Sequence, residues 1–271
     1  MVYVGIVTAA WLLQRRLMYF PDPSRVAPAA VGLPEVEELE IATADGNTLV
    51  TWFAEPADGM PAILYFTGNG GSLAWRAGRI RRLLNTGYGG LFVNYRGYGG
   101  SGGSPSERAL VADGMLAFDT LVGRGARPGE IVLYGESLGA AVAVQVALER
   151  RPAALVLEAP FATAVDLAAS VYPLLPVRLL MKDRFETIAV IGRVAAPILM
   201  IHGTLDSVVP PSHSKRLFEA AAEPKLRIEV PGAGHNDLER GDVAAKVDRF
   251  IAQWVIRPGG GPPGQPETPN P

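Results

Sequence analysis

The chain has 271 residues, a length that suits one large domain or two small ones, and no linker-like stretch divides its middle. Hydrophobic residues make up 48% and charged residues 19%, which gives ample material for a buried core and argues against disorder across the body. Lysine and arginine number 25 against 27 acidic residues, a net charge of -2, so no cationic field exists to neutralise a phosphate backbone and no nucleic-acid partner is expected.

Residues 2–13 carry no charge and are followed by Gln14-Arg15-Arg16 and a second apolar group, Leu17-Met18-Tyr19-Phe20. A twelve-residue helix spans only ~18 Å, well short of the ~30 Å hydrocarbon core of a bilayer. No positive charge precedes the run, which argues against a secretory signal. Segment 1–20 therefore reads in one of two ways: a membrane-associating helix with Arg15 and Arg16 snorkelling, or a helix docked on its own domain. The protein is accordingly expected on a membrane or in the cytoplasm.

Around Ala44-Asp45-Gly46, residues 36–43 and 47–54 partly alternate in polarity and predict an antiparallel hairpin. Five short, nearly continuous apolar runs follow at 62–66, 91–95, 131–134, 154–157 and 198–201, the pattern of strands buried on both faces of a parallel sheet. Helical stretches alternate with them at 73–84, 107–122, 138–150 and 212–222, and 244–255 closes the domain. The fold class is thus α/β, a mostly parallel sheet with helices on both faces and an N-terminal hairpin, over residues 21–257. Residues 160–196 exceed the length of a single crossover and predict a small helical cap, in which Leu174, Leu175, Leu179, Leu180 and Met181 would line an apolar groove. The Pro/Gly-rich tail 258–271 has nothing to bury and is expected to be disordered.

Cysteine is absent, which removes disulfides, thiolate metal sites and cysteine nucleophiles. The three histidines, His202, His213 and His235, show neither H-x-H nor H-E-x-x-H spacing, so no metal centre is expected. Chemistry then falls to an oxygen nucleophile, carboxylates and imidazole.

The pattern G-x-S-x-G occurs twice, at Gly135-Glu136-Ser137-Leu138-Gly139 and at Gly99-Gly100-Ser101-Gly102-Gly103. A reactive serine needs a tight strand-to-helix turn, where glycines relieve crowding and the helix N-terminus offers N–H groups to a developing oxyanion. Ser137 has the strand 131–134 before it and the helix former Ala140-Ala141-Val142-Ala143-Val144 after it. Ser101 sits in a glycine-rich loop without that context and reads as a scaffold element. Ser137 is the predicted nucleophile.

A serine hydroxyl needs an imidazole to take its proton and a carboxylate to fix that imidazole. Asp206 lies five residues past Ile201, and His235 five residues past Val230, so both arrive at the sheet edge that carries Ser137. Among the competitors, His202 ends a strand and reads as structural, while His213 opens a helix and is expected at the surface. Glu158 and Asp237 are the weaker acid candidates. After the strand 62–66, Thr67-Gly68-Asn69-Gly70-Gly71-Ser72 brings the main chain close to a substrate, and the Asn69 and Leu138 N–H groups are the predicted oxyanion donors. A phosphate loop is the rival reading, but the Lys-[Ser/Thr] ending is missing.

With the order Ser137, Asp206, His235, these motifs resemble the α/β-hydrolase superfamily over residues 36–256. More narrowly, Phe66-Thr67-Gly68-Asn69-Gly70-Gly71, Asn94-Tyr95-Arg96-Gly97-Tyr98-Gly99 and Gly234-His235-Asn236 look like the N-terminally anchored "abhydrolase domain-containing" branch, with Thr67 replacing a usual histidine and Asn94 a usual aspartate. The resemblance implies a cofactor-free serine hydrolase acting on small-molecule or acylated esters or thioesters, with residues 1–20 as an anchor. A peptidase of the same fold and a silent binding protein are the alternatives.

Overall fold

The computed structural model describes residues 1–255; the tail expected at 258–271 lies outside them. The chain begins with helix α1 (Val2–Met18), strand β1 (Phe20–Pro21) and the hairpin β2 (Glu37–Ala42) and β3 (Thr48–Ala54), followed by β4 (Ala62–Phe66) and β5 (Gly70–Gly71). Helix α2 (Ala77–Asn85), β6 (Gly89–Val93), α3 (Glu107–Gly123), β7 (Ile131–Glu136), α4 (Leu138–Glu149) and β8 (Ala154–Glu158) continue the alternation. Helices α5 (Ala164–Val171), α6 (Val177–Leu180) and α7 (Thr187–Val190) precede β9 (Ile198–Gly203), α8 (Ser212–Ala220), β10 (Lys225–Val230) and α9 (Val243–Trp254).

The main sheet has eight strands in the order β10-β9-β8-β7-β4-β6-β3-β2. Only the β2–β3 and β3–β6 pairs are antiparallel. Every residue of β4, β6, β8 and β9 is buried, which explains their continuous apolar character. Alternate side chains serve two cores. Leu64, Leu133 and Leu155 pack with Phe118 of α3 and Val142 of α4. Ile63, Val132 and Val156 pack with Leu83 of α2 and Phe250 of α9 on the other face.

The segment 160–196 folds into the short helices α5, α6 and α7, and α1 docks beside it. Tyr3 Oη donates to the Leu174 carbonyl at 2.9 Å, and Gln14 Oε1 accepts from the Lys182 N–H at 2.7 Å. Arg15 forms a two-pronged pair with Asp183 at 2.8 and 3.1 Å, and the Lys182 ammonium sits 3.9 Å from the Trp11 ring centre. Of the two readings left open for residues 1–20, docking on the domain is therefore observed. Its outer face remains exposed at Val2, Leu12 and Leu13, and no helix among the described residues is long and apolar enough to cross a membrane.

Candidate active site

Ser137 occupies the one-residue turn between β7 and α4, with φ 48° and ψ -105°, a backbone conformation unfavourable for any residue with a side chain. The turn is held by the Ser137 N–H, which donates to the Glu158 carbonyl at 2.8 Å. The flanking glycines are there for close approach: a Cβ on Gly135 would fall 2.4 Å from the Gly139 carbonyl oxygen, and one on Gly139 would fall 2.2 Å from that of Phe66. Gly139→Ala therefore overpacks this junction and should lower stability by about 1–3 kcal/mol, read as a fall in Tm of several degrees. Unchanged Tm would show that α4 is less tightly seated.

Val230 pairs with Gly203, so the loops after β9 and β10 leave the sheet side by side. They are stitched by the Leu205 N–H to the Ala233 carbonyl at 2.9 Å and by the Gly232 N–H to Thr204 Oγ1 at 2.9 Å. This brings His235 Nδ1 to 2.7 Å from Asp206 Oδ2. Asp206 Oδ1 accepts the N–H groups of Val208 and Val209 at 2.9 and 2.8 Å. Burial alone would raise the Asp206 carboxyl, but hydrogen bonds from His202, His235 and the Val209 amide outweigh it and hold the group well below the ordinary carboxylate range. An ionised carboxylate only accepts, so His235 Nδ1 carries the proton and Nε2 is left as the acceptor.

His202 is fully buried, with Nε2 2.8 Å from the Val209 carbonyl and 3.2 Å from Asp206 Oδ2. It braces the Asp206 loop, in keeping with a structural histidine. His213 corrects the sequence expectation: it is 8% exposed, not at the surface. Its Nδ1 accepts the Ala162 N–H at 3.2 Å, and burial pushes the imidazole below its ordinary value. The start of α8 tucks under the segment after β8, a tertiary contact with no local signal. The competing acids are used elsewhere: Glu158 binds Tyr134 and Arg79, while Asp237 accepts the Gly234 N–H and pairs with Arg240.

Ser101 Oγ accepts the Val50 N–H at 2.8 Å and donates to the Asn94 carbonyl at 3.1 Å, a scaffold role. Asn94 Oδ1 accepts the Leu73 N–H at 2.9 Å, a bond that an aspartate there would also make. Asn69 is fixed from three sides: its carbonyl accepts Phe20 N–H at 2.9 Å and Tyr98 Oη at 2.8 Å, and its Nδ2 donates to the Met18 carbonyl at 2.9 Å. Among the described residues, the backbone N–H groups of Asn69 and Leu138 donate to no protein acceptor. Tyr98 is thus a support that sequence reading missed, although it lies in the Asn94–Gly99 motif.

Two cavities meet at Ser137. One, of about 360 Å³, is walled by apolar residues of α1 and of segment 160–196, among them Val7, Trp11, Leu167, Leu175, Leu180 and Met181. Leu174 and Leu179, expected in the groove, are instead 82% and 85% exposed: Leu179 lies on the outward side of the short α6, and Leu174 in the turn before it. The other cavity, of about 590 Å³, is polar and holds His235, Asn236, Arg76, Arg79 and Glu136. Ser137 and His235 share this second cavity, with no hydrogen bond between the Ser137 hydroxyl and the imidazole. Beneath them, Glu136 accepts from Tyr65 and Arg76 and pairs with Arg79, and the two guanidiniums outweigh burial and hold its carboxyl below the ordinary range.

Residues 60–189 match a family model described as serine aminopeptidase, S33. The α/β hydrolase domain-containing protein WAV2 of Arabidopsis thaliana is 31% identical over 287 residues, covering 93% of this chain and 92% of that protein. The chain belongs to the α/β-hydrolase family. The uncharacterized protein MT2364 of Mycobacterium tuberculosis is 42% identical over 262 residues, covering 94% of this chain and 93% of its own. The Pyrococcus furiosus esterase Pf2001 has the same fold, with a TM-score of 0.70 at 21% identity over 88% of this chain and 97% of that one. Fold and family together support hydrolase activity in this chain.

Proposed function

We propose that the protein is a serine hydrolase that cleaves carboxylic esters or thioesters through an acyl-enzyme. In this reading Ser137 Oγ attacks the carbonyl carbon, and His235 Nε2 takes the hydroxyl proton and returns it to the leaving alcohol or thiol. Asp206 orients His235 and stabilises its cation, and the Asn69 and Leu138 amides receive the oxyanion. The observation that carries it is the 2.7 Å His235–Asp206 pair beside a serine held at positive φ. An aminopeptidase would place a charged amine on the acyl side, and the apolar cavity beside Ser137 offers no carboxylate among its lining residues to hold one.

Labelling with a fluorophosphonate tests the nucleophile, and a series of p-nitrophenyl esters tests the acyl side. Each methylene buried in the apolar cavity is worth up to ~0.8 kcal/mol, or about fourfold in kcat/KM. The rate should climb from acetyl towards medium chains and level off where the cavity ends; a strict acetyl preference would remove that cavity as the acyl site. kcat/KM should also rise with pH as one imidazole loses its proton, because only the neutral form accepts the serine proton. Asp206 is held well below the ordinary carboxylate range, so it stays ionised across that limb and adds no ionisation of its own. A second ionisation in the rising limb would contradict this assignment.

Membrane association is the second part of the proposal, with α1 lying on the surface rather than crossing it. Ile6, Leu12 and Leu13 are exposed on α1, and Val171 and Leu174 are exposed on the neighbouring segment beside the apolar cavity. Because α1 is also a wall of that cavity, truncating it would open the site, so the outer face must be altered alone. Ile6→Glu combined with Leu13→Glu should abolish sedimentation with anionic phospholipid vesicles while p-nitrophenyl butyrate hydrolysis persists. A wild-type protein that stays in the supernatant, or a double variant that still sediments, would refute it.

A further inference from the structure

The polar cavity shows what departs from the substrate, given the acyl-transfer reading above. Of the two cavities, His235 borders this one, while the apolar cavity reaches Ser137 without touching the imidazole. After attack, His235 Nε2 carries the serine proton. As the carbon–oxygen bond of the ester breaks, that proton passes to the departing oxygen, and the acyl group stays on Ser137 until water displaces it. The leaving group must therefore sit on the His235 side, which is the polar cavity.

Arg76 has a donor to spare there. Arg76 Nε donates to Glu136 Oε2 at 3.1 Å and Nη1 to the Gly70 carbonyl at 3.3 Å, whereas Nη2 bonds to no protein group among the described residues. Gly68 lies between this nitrogen and the nucleophile: a Cβ placed on it would be 3.6 Å from Arg76 Nη2 and 3.9 Å from Ser137 Cβ. The surrounding charges balance, since Glu136 and Glu158 are matched by Arg76 and Arg79, and Glu239 is met by Arg82 at 3.1 Å. A balanced chamber with a free donor on the wall it shares with Ser137 and His235 suits an uncharged, oxygen-bearing alcohol better than an alkyl one.

We infer that Arg76 is a specificity-determining residue, which donates through Nη2 to a hydroxyl oxygen of a polyol leaving group. The test compares 2,3-dihydroxypropyl octanoate with 2-methylbutyl octanoate, two esters of one shape in which hydroxyls replace apolar groups. Wild type should favour the diol ester by about tenfold in kcat/KM, the effect of one hydrogen bond to a charged donor. In Arg76→Met this ratio should fall towards one, mainly through KM, and Arg76→Lys should restore part of it. Tm measured alongside checks that Glu136, still held by Arg79 and Tyr65, keeps the turn folded.

A wild-type preference for the methylbutyl ester overturns the inference, and so does an equal loss on both esters in folded Arg76→Met, which would leave Arg76 a support for Glu136 alone. If wild type cleaves p-nitrophenyl octanoate yet shows no diol preference, the leaving-group assignment fails and the hydrolase reading stands. If it cleaves none of the three esters, the acyl-transfer reading itself fails.

Discussion

Replacing Ser137 by alanine should lower kcat for ester hydrolysis by about 10⁴ to 10⁶ and abolish fluorophosphonate labelling, because the proposed mechanism attacks through its hydroxyl, the only one among the described residues that borders both cavities. The second serine in the same pattern makes the natural control. Ser101 Oγ is committed to Val50 and Asn94 and ties the glycine-rich loop to β3. Ser101→Ala should therefore show a stability loss of about 1–2 kcal/mol from the orphaned Val50 amide, with labelling retained. Equal loss of labelling in both folded variants would overturn the assignment of Ser137. A residual rate in Ser137→Ala above that of free solution is expected, since binding and the oxyanion donors survive the change.

The strands were legible because burial on both faces leaves no room for polar positions, as in Ile63-Leu64-Tyr65-Phe66. The turn at Ser137 was legible because its demands are local: a strand, two glycines and a helix within a dozen residues. The start of β6 was not. The apolar run begins at residue 91, yet Gly89 and Gly90 open the strand, where a Cβ on Gly90 would fall 2.0 Å from the Ile63 carbonyl oxygen. The polar cavity was equally hidden. Arg76 and Arg79 meet Glu136 and Glu158 across 60 and 79 residues of chain, and charged residues at such separations carry no spacing rule. The placement of α1 also escaped, since its apolar inner face fits a lipid surface and a protein groove equally well. Only its contacts with Leu174, Lys182 and Asp183 decide between them.

The three histidines and the acid separate by a single comparison. His235→Ala should lower kcat by about 10⁴ to 10⁶, as loss of the nucleophile does, because the two act as one unit. Asp206→Asn should cost about 10⁴, since an amide can present an N–H to His235 Nδ1 and so favour the wrong tautomer. His202 touches the same carboxylate at 3.2 Å, but its Nε2 also faces the Val209 carbonyl, which only accepts and so fixes the proton there, and the fully buried ring borders neither cavity at Ser137. His202→Ala removes a buried ring from behind Asp206 and should reduce stability by about 1–3 kcal/mol, with a kcat loss far smaller than that of His235→Ala. His213→Ala should leave labelling intact and weaken the contact with Ala162. Single-turnover kinetics on the folded variants read these effects directly. If His202→Ala is folded and inactive while His235→Ala keeps near wild-type turnover, the base is His202, and the loop after β10 serves only to cover the acid.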